Sequence, residues 1–407
     1  MKPELMAPAG DLEKLKAAVL YGADAVYLGG RHFSLRAGAG NFGEEELAEG
    51  VRFAHNRGVR VYVTVNIFAH NSDLVPLPGY LDSIRAAGVD GLIVSDPGII
   101  DLVRSLYPDM PVHLSTQANT TNWVAARFWE KLGVSRIVLA RELSLAEIKE
   151  IRRRVGVELE VFVHGAMCIS YSGRCLLSNY LTGRDANRGD CAQSCRWRYA
   201  LAEEIRPGKY FPIEEDGRGA YILSSRDLCL IQHIPELVEA GINSFKIEGR
   251  MKSVHYVAGV VKAYREALDN FFAGGANSLN SAWLEEIGKV SHREYTTGFL
   301  FGNPAASGQH YSDKIYRRRY SFVGLVRGYD KQAGLAVVEQ RNRFAVGDEV
   351  EILMPEGRPL KHCIEAIYDE EGNSLEAAPH PQQIVRIPVN RELAALSMLR
   401  KPLEKDY

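Results

Sequence analysis

Eight times before residue 251 a short apolar run of β type is followed by a segment with helical periodicity, and this alternation restricts the fold more than any other feature. The runs begin at Glu4 (ELMAPAG), Ala25 (AVYLGG), Arg60 (RVYVTVNI), Gly91 (GLIVSD), Val112 (VHLSTQA), Arg136 (RIVLARE), Leu159 (LEVFVHG) and Ser244 (SFKIEGR). Intervening segments such as DLEKLKAAVLYG and SLAEIKEIRRRVG open on Asp or Ser, which cap helix N-termini, and carry apolar residues at helical spacing. Eight βα units predict an α/β chain folded as a (β/α)8 TIM-like barrel. Periodicity does not reveal closure, so a doubly wound open sheet is the alternative. The count of eight, and the lack of a glycine-rich dinucleotide fingerprint in the first unit, favour the barrel.

Successive runs start 21, 35, 31, 21, 24, 23 and 85 residues apart. Less one ordinary repeat, the last interval holds an insertion of roughly 55 to 60 residues, far beyond a normal loop. The barrel is therefore expected over residues 1–272, with a cysteine-rich insertion at 167–230 after the seventh strand. In the closing helix Val254, Val257, Val261, Tyr264 and Leu268 share one face. Residues 273–319 read as an irregular connection. From Tyr320 to residue 407 short alternating strands separated by turns predict a small β-barrel domain. A chain of 407 residues is long enough for two such cores.

The 49 basic residues nearly balance 51 acidic ones, so nucleic acid would be bound by a local patch rather than by the whole surface. No run reaches the length of a membrane span, and the start lacks the pattern of a secretory signal. A cytosolic location follows as the expectation, and there clustered cysteines point to metal or catalysis rather than disulfides. Five of the six lie at 168, 175, 191, 195 and 229. Four-thiolate sites hold zinc or iron–sulfur clusters, and the spacing leaves both open. Cys363, alone in the β domain, reads as a small buried hydrophobe.

Barrel enzymes place their chemistry at the C-terminal strand ends, which here carry Asn66, Asp96, Gln117, Arg141, Glu142, His164, Lys246, Glu248 and Arg250. Of these, His164, Glu248, Asn66 and Gln117 are the candidates for catalytic roles. Lys246, Glu248 and Arg250 alternate, so they point one way, and with Arg141 the two cations suit a carboxylate or phosphate. His164 precedes Cys168 by four, a spacing that also admits a Cys–His nucleophile, but neither HExxH nor GxSxG is present. Arg196 and Arg198 in RWRY, and Arg317, Arg318 and Arg319 in YRRRY, interleave with aromatics as RNA-binding segments do; Arg327, Arg341 and Arg343 add charge in the β domain.

The stretch running Glu160, Phe162, Gly165, Ala166, Met167, Cys168, Gly173, Cys175, Leu177, Ser178 resembles, at every position and with its spacing, the signature of peptidase family thirty-two, collagenase-like peptidases of unknown mechanism. APAGDLEKLKAAVLYGADAVYLG, NRGDCAQSCRWRY, SSRDLC and FKIEGRMKSVHYV are similar to the same family, so the likeness spans the chain. Within it the resemblance is strongest to members that convert the wobble uridine of tRNA to 5-hydroxyuridine with prephenate and an iron–sulfur cluster. It implies a tRNA-modifying enzyme acting at the anticodon, with prephenate as co-substrate. A cluster, expected as 4Fe–4S, would sit on Cys168, Cys175, Cys191 and Cys229, with Cys195 the alternative fourth ligand. Arg141, Lys246 and Arg250 are then candidates for the prephenate carboxylates. A peptidase with Cys168 as nucleophile, and an RNA-binding protein with structural zinc, are the rival readings.

Overall fold

A computed structural model of the chain describes residues 2–35, 40–168, 170–197, 200–202, 210–212, 225–274, 281–304, 308 and 316–403. The eight runs are eight strands: Glu4–Pro8, Ala25–Gly29, Arg60–Val65, Gly91–Val94, Val112–Leu114, Arg136–Val138, Glu158–Ala166 and Ser244–Ile247. Each pairs in parallel with the next, and the eighth pairs with both the seventh and the first, where Lys246 stands opposite Met6. The ring is closed, and the open-sheet alternative falls. Helix starts follow the chemistry read from the sequence: the Asp11 and Ser144 side chains accept from the backbone N–H of Lys14 and Glu147. Asp96, one of the strand-end candidates, is spent in this way, capping the helix Pro97–Leu106 through Ile99 N–H at 3.0 Å.

Apolar side chains pack between the strands and the helix ring in one continuous core. The barrel interior is different. Met6, Ala25, Tyr27, Tyr62 and Ile93 fill part of it, but a line of buried charge runs through the rest. Lys246 donates to Glu160 at 2.9 Å, and Arg136 reaches Glu160 at 3.3 Å and Glu4 at 2.5 Å. Arg60 closes the line on Glu4 at 2.6 Å. Desolvation alone would raise Glu160, yet Lys246 and Arg136 hold its carboxyl down to about 2. Burial wins at Glu4, whose pKa is raised despite Arg136.

The residues expected to form an irregular connection include a helix, Ser281–Ile287, and a short strand, Tyr295–Thr296, that pairs with Asp227–Cys229. From Tyr320 an antiparallel eight-stranded sheet surrounds its own core of Val323, Val338, Ile352 and Leu399. This β domain is seated on the first and last barrel helices. Tyr21 donates to Leu353 O at 3.0 Å and Leu396 O at 2.9 Å, and Lys262 to Pro355 O at 2.9 Å. Arg327 and Arg341 both grip Glu13, so two cations of the apparent basic patch fasten the domains together. Burial therefore extends around the helix Val254–Phe272 well beyond the one face foreseen. Cys363 is exposed, not buried: it shares the outward face of the strand Leu360–Cys363 with Lys361. Among the described residues no helix is long and apolar enough to cross a membrane.

Candidate active site

A well of about 50 Å³ opens at the C-terminal strand ends, lined by Tyr27, Asn66, Gln117, Arg141, Lys246, Glu248 and Arg250. Asn66 at the end of the third strand accepts from Leu35 N–H at 3.2 Å and donates to Gln117 Oε1 at 3.3 Å, so the two amides fix each other. Glu248 lies 3.4 Å from the Tyr27 hydroxyl. The alternation read in KIEGR does bring Lys246, Glu248 and Arg250 to one wall. The cations nonetheless have inward duties. Lys246 is ion-paired to Glu160, and its ammonium lies 4.3 Å from the Tyr27 ring centre. Arg250 is buried and donates to Ser34 Oγ and Leu35 O, both at 2.8 Å, and to Asn41 Oδ1 at 2.6 Å. It holds the loop after the second strand against the mouth.

Above the well lies a larger cavity of about 440 Å³, and Leu35, Gln117, Arg141 and Glu248 line both. Cys168, Cys175, Cys191 and Cys195 line this upper cavity. The insertion is pinned there by backbone chemistry. Gly173 has φ +74, and a Cβ on it would come within 2.9 Å of the Phe68 ring, so the loop lies against the barrel only because the residue is glycine. Asn119 donates to Ser172 O at 3.0 Å, and Arg188 clamps Asp73 with two bonds of 2.8 and 3.0 Å. The Arg188 hydrogen bonds hold Asp73 down to about 2. Arg141 joins the parts: it donates to Ala166 O at 2.8 Å and Ser172 Oγ at 2.6 Å, and its guanidinium lies 3.8 Å from Cys168 Sγ.

These four residues fit an iron–sulfur cluster by the chemistry of their donors. All are thiols, none is fully buried, the Arg141 guanidinium lies beside Cys168 Sγ, and the Gln193 N–H donates to Cys191 Sγ at 3.4 Å. Among the described residues no three His, Cys, Asp or Glu converge closely enough to hold a single ion.

Two expected residues lie elsewhere. Cys229 is buried in the core, where desolvation pushes its thiol up to about 11, and it does not line the cavity among the described residues. The insertion loops deliver Cys195 to the cavity instead. His164 belongs to the barrel wall. The pairing register shifts where Phe162 is opposite Lys246 but His164 opposite Ile247, a bulge of one residue at Val163. The bulge turns His164 outward against the Tyr256, Tyr264 and Tyr295 rings, where burial lowers its pKa to about 3. It is no partner for Cys168. Arg198 and the side chain of Arg196 lie outside the described residues; Arg317, Arg318 and Arg319 are exposed. Tyr316, the first aromatic of the YRRRY cluster, also lines the cavity, as do Tyr171, Met251 and Lys252, which the sequence does not single out although Met251 and Lys252 directly follow the KIEGR strand end.

A closed (β/α)8 barrel whose mouth opens into a cavity lined by four thiols defines a class of barrel protein with a cysteine-bearing insertion after the seventh strand. The chain belongs to peptidase family U32: the family's profile matches residues 10–310, and that of the peptidase family U32 C-terminal domain matches residues 318–400. It is 48% identical over 401 residues to tRNA hydroxylation protein P1 of Bacillus subtilis, covering 98% of this chain and 95% of that one. It is 39% identical to tRNA hydroxylation protein P of Escherichia coli, covering 96% and 95%. A collagenase of Porphyromonas gingivalis is 32% identical, covering 96% and 95%.

Proposed function

We propose that this protein hydroxylates RNA, its substrate being the wobble uridine of tRNA and its product 5-hydroxyuridine. The observation that carries the reading is the four-thiol cavity opening directly into the barrel mouth, in a chain similar over nearly its whole length to tRNA hydroxylation proteins. Cys168, Cys175, Cys191 and Cys195 would hold an iron–sulfur cluster, which when bound supplies electron transfer or Lewis acidity. Arg141 holds the Cys168 sulfur and the insertion in one arrangement, while Gln117 and Glu248 present polar groups between well and cavity and Asn66 lines the well below them.

Prephenate, a small dicarboxylate, is the proposed co-substrate. A well of about 50 Å³ is too small for it, since ligand sites run to roughly 300 Å³ or more. One carboxylate would meet Arg141 at the junction, with the body of the molecule in the upper cavity. Lys246 and Arg250, expected as direct ligands, would support this site from below through charge.

A peptidase with Cys168 as nucleophile lacks support from its surroundings. No histidine lines the cavity among the described residues, so the Cys–His pair of a thiol peptidase is not formed there. Nucleoside mass spectrometry of tRNA from cells lacking this gene and any paralogue tests the reading. Loss of 5-hydroxyuridine derivatives, restored by the wild-type chain, is expected. Unchanged levels would overturn it.

A further inference from the structure

The rim of the upper cavity carries a set of side chains that neither the cysteines nor the well explains. Tyr171, Met251 and Tyr316 line the cavity while 47%, 46% and 38% exposed. They come from three separate segments: the insertion, the end of the eighth βα turn, and the approach to the β domain. Large apolar groups left facing water around one opening mark a binding surface. The Lys252 ammonium lies 5.2 Å from the Tyr316 ring centre, so a cation already rides on one of these rings. Arg184 is already paired with Asp190 at 2.6 Å, which leaves Arg141 and Lys252 as two cations in the lining against the one carboxylate of Glu248, so the opening favours an anionic visitor. Immediately after Tyr316 the chain runs through Arg317, Arg318 and Arg319, all exposed.

Flat π faces at the mouth of a cationic cavity, continued by an arginine strip, match one chemistry. It is a nucleobase turned out of a single-stranded loop, with phosphates on either side. A duplex presents no unstacked base, so chemistry on a ring carbon inside such a cavity requires the nucleotide to be extruded.

We propose that Tyr316 and Tyr171 are the stacking surfaces that receive an extruded pyrimidine at the cavity mouth, and that the Arg317–Arg319 strip tracks the flanking phosphates. This rests on the RNA-hydroxylation reading and adds how the substrate is held. Tyr316 and Tyr171 are positioning residues for the base.

The test uses the full-length protein and a fluorescein-labelled hairpin RNA with the sequence of a tRNA anticodon arm, followed by fluorescence anisotropy at several salt concentrations. Tyr316→Ala is expected to weaken binding about 5- to 150-fold, the range for one stacked base, and Tyr316→Phe to restore it. Tyr171→Ala supplies an independent variant should Tyr316→Ala fail to fold. The slope of log affinity against log salt should stay unchanged in the tyrosine variants and flatten by about 0.7 in Arg318→Ala, one phosphate contact on a single strand. A fully paired duplex of the same sequence should compete poorly. Two outcomes overturn the stacking proposal while leaving the RNA reading intact: equal affinity of Tyr316→Ala, Tyr171→Ala and wild type, or competition by the duplex as strong as by the hairpin. Absence of RNA binding by the wild type, or displacement of the hairpin by a gelatin peptide, would bring down the RNA reading with it.

Discussion

Four cysteines at the barrel mouth and one in its wall give a sharp division at the level of single residues. Cys195 lines the cavity with Cys168, Cys175 and Cys191, whereas Cys229 packs in the core with its thiol held protonated by burial. Iron and sulfide assayed on anaerobically prepared protein should therefore fall to a small fraction of wild type in Cys195→Ser. Cys229→Ser should keep its loading and lose only stability. The reverse pattern would move the fourth ligand to Cys229. Gly173→Ala offers a second check, because the alanine would be forced into φ +74 with its Cβ 2.9 Å from Phe68. A cost of about 1–3 kcal/mol is expected, together with reduced iron loading as the cysteine loop lifts. The sequence displayed the thiols and their crowding, and the resemblance supplied three of the four cavity positions. It could not choose between Cys195 and Cys229, since the choice depends on how the insertion folds back. The outward turn of His164 escapes the sequence for a related reason. One extra residue at Val163 reverses the direction of everything after it, and a bulge leaves no periodic trace in LEVFVHG.

At the level of elements, the eight strands were legible because each is an apolar run with a capped helix behind it. The charged line inside the barrel was not, because a single Arg or Glu among Val and Leu reads equally as a strand end. Its energetics are testable. Glu160→Gln strands Lys246 and Arg136 without their shared carboxylate, and breaking a buried pair costs about 3–5 kcal/mol. Urea denaturation should show that loss near neutral pH. Acid should erase it. Lys246 and Arg136 hold the folded Glu160 carboxyl down to about 2 against an ordinary value of 4.5, so its stabilisation is fully present above about pH 4.5. It drains away as pH falls toward 2, and the gap between wild type and Glu160→Gln should close over that window. Glu4, raised by burial, has the opposite sign and will not produce this closure. A gap that stays constant down to pH 2 would mean that folding leaves the Glu160 carboxyl unshifted.

On the scale of the whole molecule, the β domain is joined to the barrel by contacts of unequal strength, and this predicts how the protein comes apart. Arg400 is fully buried and reaches Glu286 at 2.6 and 2.8 Å, with Glu351 at 2.8 Å on its other side. Arg400→Met leaves two carboxylates with only Lys289 between them, at a cost of about 3–5 kcal/mol. The Glu13 bridges to Arg327 and Arg341 are partly exposed, so Glu13→Gln should cost less than about 1 kcal/mol. Calorimetry should therefore show one transition in wild type and in Glu13→Gln, and two in Arg400→Met, the β domain melting first. All four cavity cysteines lie between residues 168 and 195, in loops fastened to the barrel by Asn119, Arg141 and Arg188. Iron loading should then survive in Arg400→Met at temperatures between its two transitions. RNA binding should fall, because Arg318 and Arg319 run directly into the strand that begins at Tyr320, while Arg317 stays tied to the barrel side through the His292 backbone and the Glu294 carboxylate. Retained hairpin affinity after the β domain has melted would show that the barrel and its insertion alone grip the substrate.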